Sequence, residues 1–185
     1  MKSLLLTLGL SLAFASVGCQ STAPQNPIEQ DKLISDAQYK LKLLRSKHPG
    51  VYETYQDTSV AVAVFPTIGE GGLLLGYGYG KGVLFENGKA TGYCDVNEGI
   101  AGAVVGAKVK TQYVFIRNKS ALNRFKAGNV EMTAQVAAVA AAANASNEAN
   151  YNGGFALIVT NEKGLMAQAS VSGQKFRYLP KDAVD

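Results

Sequence analysis

Hydrophobic residues recur at two spacings along the chain, and the change from one to the other divides it. From Asp31 to Lys47, Leu33, Ala37, Leu41 and Leu44 repeat at helical intervals, while Lys32, Asp36, Lys40 and Lys47 fall on other faces. This predicts an amphipathic helix that ends before His48-Pro49-Gly50, because a proline disfavours helical backbone in the residue before it. Beyond it, short apolar runs predict strands almost throughout: Ser59–Phe65, closed by Pro66; Gly72–Phe85, after a turn over Thr67–Gly71; Lys89–Val96; a pair at Ile100–Lys108 and Thr111–Arg117; Phe155–Thr160; and Leu165–Val171. Asn87-Gly88 is a hairpin signal, since both residues tolerate the positive φ that a tight two-residue turn requires.

One short helix, Lys119–Lys126, has Asn118 as its N-cap and Gly128 at its end. Val130–Ala143 fits two patterns. Val130, Met132, Ala134 and Val136 alternate as in a strand, whereas Ala137–Ala143 favours helix; a strand is expected for the first half. Asn144–Gly154 is a polar loop, and Asn161–Gly164 joins the last two runs. Neighbouring strands with tight connections pair antiparallel. The expected fold is therefore α+β: a curved antiparallel sheet or partly closed barrel with glycine-rich strands, packed by the N-terminal amphipathic helix and the short one.

The stretch Gly72-Leu-Leu-Leu-Gly-Tyr-Gly-Tyr-Gly-Lys-Gly-Val-Leu-Phe85 carries glycine at alternate positions, Gly76, Gly78, Gly80 and Gly82. A Walker-type phosphate loop needs Gly-Lys followed by Ser or Thr, and Gly82 follows Lys81; a dinucleotide fingerprint fails at its third glycine from every start. Alternation instead places the four glycines on one strand face, where backbone or a helix can approach closely, for packing or for a ligand. The opposite face carries Leu73, Leu75, Tyr77, Tyr79, Lys81 and Val83. Gly102 and Gly106, among small neighbours, predict a second smooth strand, and with Gly72 these glycines are expected to be structural.

At 185 residues and 47% hydrophobic, the chain suits one domain with a substantial core. Met1-Lys2-Ser3 and the apolar run Leu4–Ala15 read as a secretory signal peptide. Ser16-Val17-Gly18-Cys19 after it resembles the bacterial lipobox, with Ser16 where leucine is usual. Residues 1–18 are then removed, Cys19 is lipidated, and residues 19–30, polar and proline-containing, form a flexible tether to a domain over 31–185. Gln20 after the cysteine implies an outer-membrane lipoprotein facing the periplasm. Cleavage after Ala15 instead leaves a soluble periplasmic protein.

Loss of Lys2 takes the net charge from +4 to about +3, which lacks the dense basic block of nucleic-acid binders. With one His and, after Cys19, only Cys94, there is no disulfide and no Cys/His metal cluster. The acids are scattered and no nucleophile elbow occurs, so no enzyme, cofactor or nucleotide is expected. The predicted helix is basic in its second half, at Lys40, Lys42, Arg45 and Lys47. Such a face is either solvated or meets a membrane surface.

Taken in order, Ala61–Pro66, Gly71-Gly72, Gly76–Val83, Gly99–Gly106, Ala121–Phe125 and Gly164–Gly173 resemble a SYLF domain, also called the Ysc84 actin-binding domain, over about residues 33–179. The family's Ser-Leu-Glu-Gly stands here as Ser170-Val171-Ser172-Gly173, without the acid. The resemblance implies lipid binding; its actin role does not carry over to a bacterial envelope, where an anionic phospholipid replaces phosphoinositides. Lys40, Lys42, Arg45 and Lys47, and the strand face of Tyr77, Tyr79 and Lys81, are the candidate contacts. An envelope protein partner with no specific lipid is the alternative.

Overall fold

The computed structural model describes residues 22–72, 75–100, 104–128, 130–132, 150–161, 164–166 and 171–184. Helices α1 (Pro27–Lys47) and α2 (Pro49–Gln56) precede strands β1 (Ala61–Gly72), β2 (Gly76–Glu86), β3 (Lys89–Ile100) and β4 (Val104–Ile116). Helix α3 (Lys119–Lys126) follows, then β5 (Glu131–Met132), β6 (Phe155–Asn161), β7 (Gly164–Met166) and β8 (Val171–Pro180). The described strands form one antiparallel sheet in the order β5-β8-β3-β2-β1-β4-β6-β7. The fold is α+β with an open, curved sheet.

Both faces of the sheet are covered. Ala63, Phe65, Leu84, Val114, Leu157 and Phe176 bury against Leu122 and Phe125 of α3, while Val62, Val64, Phe85, Tyr113 and Phe115 bury against Ala37, Leu44 and Tyr55 of α1 and α2. That is why Ala61–Pro66 and Thr111–Ile116 are buried at consecutive positions instead of alternate ones.

Several boundaries differ from expectation. Helix α1 begins at Pro27, inside the expected tether: Asn26 accepts a hydrogen bond from the Glu29 amide at 2.9 Å and Pro27 takes the first turn, where its missing N–H is not needed. Ala23 is buried as well, so the flexible-tether reading is corrected for residues 22–30. Pro49-Gly50 starts α2 for the same reason, and Tyr55 of that helix stacks on Phe115 at 5.4 Å. Strand β1 does not stop at Pro66 but runs on to Gly72, because the residue that cannot donate lies within a register shift shared by both pairings. The expected turn over Thr67–Gly71 is therefore strand.

The expected strand pair Ile100–Lys108 and Thr111–Arg117 is likewise corrected. Ile100 ends β3, and residues 104–116 are one strand whose centre, Lys110, is buried. Asn87 and Gly88 take φ of 50° and 76° at the β2–β3 turn, and α3 has the expected Asn118 cap with Gly128 at φ 70°. Strand β8 has no counterpart among the expected elements, although Gln174 and Phe176 alternate inward against Lys175 and Arg177. Within Val130–Ala143 only β5 is described; Ala137–Ala143 and most of Asn144–Gly154 lie outside the described residues, as do residues 1–21, Leu73 and Gly102.

The glycine row shares the α3 face. A Cβ on Gly78 would stand 2.9 Å from the Glu98 side chain, one on Gly80 2.6 Å from the Thr67 carbonyl oxygen, and one on Gly82 2.5 Å from the Val64 carbonyl oxygen. The bare face is thus filled by neighbouring protein atoms at these three positions. By contrast Gly69 on β1 has open space where a Cβ would go. Gly82→Ala is expected to destabilise by about 1–3 kcal/mol through overpacking, and Gly69→Ala to be neutral or stabilising by up to about 1 kcal/mol, as urea unfolding will measure.

Candidate functional site

Helix α1 buries Ala37 and Leu44 and turns Lys42, Arg45 and Lys47 to solvent, with Lys40 half-buried. The Lys40 carbonyl accepts from the Tyr113 hydroxyl at 2.9 Å, which pins the middle of the helix to β4. The Arg45 guanidinium lies over the Tyr52 ring at 5.8 Å. Between α1, α2 and the β2–β3 turn is a cavity of about 390 Å³; Leu41, Val60, Val62 and Phe85 line it together with Gln38 and Lys42. Gln56, Ser59 and Asn87 add polar groups to its wall; a basic residue at a recess of mixed polarity suits an amphiphile with a negative group.

On β2 the candidate residues separate by depth. Leu75, just before the strand, and Tyr77 are 80% and 53% exposed, whereas Tyr79 and Lys81 are half-buried. The Tyr77 hydroxyl donates to Asn97 Oδ1, Asn97 Nδ2 donates to Asp95 Oδ1 at 3.1 Å, and Arg177 Nε bridges both Asp95 oxygens at 2.9 Å. This ladder holds the Tyr77 ring toward β3, where its directly opposite residue is Gly99. Burial and the nearby Asp95 carboxylate raise the Tyr79 hydroxyl above its ordinary value. Lys81 is not directed outward to a headgroup: its Nζ donates to the Ala23 carbonyl at 2.9 Å.

The basic helix residues and the tyrosine face of β2 do not form one surface. Lys42 stands beside Asn87 and Gly88 at one end of β2, while Tyr77 is near the other end. Gly72, at φ 143°, closes the β1–β2 turn, where a Cβ would strike the Leu75 carbonyl. Gly106 has φ 74°, which favours glycine, and open space where a Cβ would go, beside the β1–β4 register shift.

Sequence reasoning missed a buried polar cluster on the glycine face. Lys110 Nζ donates to both Glu98 oxygens at 2.6 and 2.8 Å; Glu70 Oε1 is also 2.6 Å away, in ion-pair contact without hydrogen-bond alignment. Gln174 Nε2 donates to Glu98 Oε2 at 2.6 Å and exchanges two bonds with Gln112. The one available signal was Lys110, a charge between two apolar runs that belong to a single strand. Burial raises the Glu98 carboxyl above its ordinary range against the pull of Lys110 and Gln174. Burial also pushes the Cys94 thiol well up.

Among the described residues no three His, Cys, Asp or Glu side chains gather as metal ligands, and no helix is long and apolar enough to cross a membrane. No protein-family model matches the chain. Over 108 residues, 58% of its length, it is 32% identical to Beta cell expansion factor A of Aeromonas veronii. That stretch covers 41% of the relative, so the chain spans less than half the length of this curated protein.

Lys110→Met should cost about 3–5 kcal/mol, because it strands two buried carboxylates without their cation. Without the lysine the Glu98 carboxyl, already raised by burial, rises further above its unfolded value. The deficit is therefore largest at neutral pH and shrinks as pH falls and that carboxylate takes up a proton. Urea unfolding of the variant and parent at pH 7 and pH 5 checks both the size and the sign.

Proposed function

We propose that this protein is a non-catalytic, lipid-binding lipoprotein of the bacterial outer membrane, anchored through Cys19 and facing the periplasm. In this reading the domain is SYLF-like, and its sheet curls toward a partly closed barrel around the glycine row. The domain contacts anionic phospholipid through the basic half of α1, with Tyr77 and Tyr79 as the further contact. The observation that carries it is the recess beside Lys42, apolar at Leu41, Val60, Val62 and Phe85, with exposed Arg45 and Lys47 on the same helix. An acyl chain fits the first part of that description and a phosphate the second.

Lys81 leaves the set of direct contacts, since its ammonium is engaged by Ala23. The reading requires no nucleotide, nucleic acid, cofactor or metal, and actin is no partner. A second reading, a module that meets an envelope protein and no specific lipid, is favoured by the exposed apolar residues Leu75, Tyr77 and Val109.

Each basic residue near an anionic surface contributes about 1 kcal/mol, so Lys42→Gln, Arg45→Gln and Lys47→Gln together should weaken partition about 100-fold at low salt. The measurement is sedimentation of residues 20–185 with vesicles rich in phosphatidylglycerol, repeated at about 1 M salt, where the parent loses most of its binding. Equal binding by the triple variant rejects the basic helix as the lipid contact. A stoichiometric protein co-purifying in place of lipid supports the second reading.

A further inference from the structure

Residues 22–26 lie on the α1 side of the sheet as a strap, with Ala23 1% exposed, Pro24 buried and the Ala23 carbonyl held by Lys81. From there the chain runs away from the β1–β2 turn. Gln30 reaches the Tyr93 hydroxyl, opposite Val83, and Gln38, Leu41 and Lys42 stand beside Phe85, Asn87 and Gly88. Within the described residues the chain thus runs from the middle of β2 toward the β2–β3 turn.

Cys19 precedes Ala23 by four residues, which span at most about 14 Å when fully extended. The four residues of β2 from Lys81 back to Tyr77 cover about 13 Å at the strand rise. A lipidated Cys19 can thus come level with Tyr77 and cannot reach far past it. At this same end Leu75, Tyr77 and Val109 are 80%, 53% and 62% exposed, and Gly69, Gly71 and Gly99 between or beside them leave open space above the backbone.

We propose that the strap fixes the domain's orientation on its own membrane: Lys81 shortens the leash from Cys19 to four residues, and the β1–β2 end docks into that bilayer. Leu75 enters the lipid and Tyr77 sits at headgroup level, where an aromatic ring with a polar tip is favoured. This rests on the lipoprotein reading. A longer tether, reaching to Asp31, would let the domain tumble; a leash of four residues raises the effective concentration of the tip at the bilayer instead. The basic half of α1 then lies at the far end of the sheet from the anchoring membrane.

The chain contains no tryptophan, so Leu75→Trp introduces a single reporter. The mature, full-length lipoprotein carrying it is reconstituted in vesicles of phosphatidylethanolamine and phosphatidylglycerol, with and without brominated acyl chains. The expected result is a blue-shifted indole emission quenched by the brominated lipid, while Glu53→Trp, exposed on α2 and outside the recess, gives water-like emission without quenching. Adding Lys81→Ala to Leu75→Trp should reduce the quenching while flotation with vesicles and the far-ultraviolet circular dichroism persist. If the acylated protein floats but the indole at 75 stays water-exposed, docking is wrong and the lipoprotein reading stands. If Lys81→Ala leaves the quenching intact, the strap is not what orients the domain. If mass spectrometry finds no acyl group on Cys19, the lipoprotein reading fails and this inference with it.

Discussion

A sheet covered on both faces needs side-chain volume on each, and in β2 that requirement meets its limit. On one side Val83 and Phe85 pack beneath the helices at the N-terminus, while on the other the strand carries no side chain at Gly78, Gly80 or Gly82. Phe65 and Ile68 of β1 and Glu98 of β3 occupy the space that those side chains would take. The inward lean of neighbours over a bare strand is what lets the sheet curve, and with it the positions of β1, β3 and β8. Glycine in a strand weakens it locally, and the tight contacts over the row are the compensation.

The same row shelters the charged cluster of Glu70, Glu98 and Lys110. Two carboxylates and one ammonium out of water are costly unless hydrogen bonds satisfy them, and Gln112 and Gln174 complete the set from β4 and β8. These residues are far apart in the chain, so the cluster closes only when β3, β4 and β8 are in register. It therefore discriminates against slipped pairings of strands rich in small residues, whose register is otherwise weakly specified.

On the opposite face the lysine of the Gly-Lys pair has a mechanical part. By holding Ala23, Lys81 joins the segment ahead of α1 to the centre of the sheet, and the proposed orientation of the Leu75 end rests on that bond. The basic half of α1 and the tyrosine end of β2 lie toward opposite ends of the sheet, although they look like one set of lipid contacts when the chain is read linearly.

Much of the architecture was legible from local physics. Helical spacing placed α1, Asn87-Gly88 placed the β2–β3 hairpin, and Asn118 with Gly128 bounded α3, because caps and positive-φ turns are decided by a few adjacent residues. The starts of α1 at Asn26-Pro27 and of α2 at Pro49 are legible too, in the permissive first-turn role of proline, but the same residue also reads as a break. What the sequence alone determined is the α+β class, antiparallel pairing and a β2 face without side chains. Only the tertiary structure decided that β1 continues through Pro66, that Lys110 is the buried centre of one strand, and that Lys81 faces Ala23 instead of solvent. Each of those depends on partners dozens of residues away or on burial, and burial and pairing energies override the local preference that a linear reading weighs.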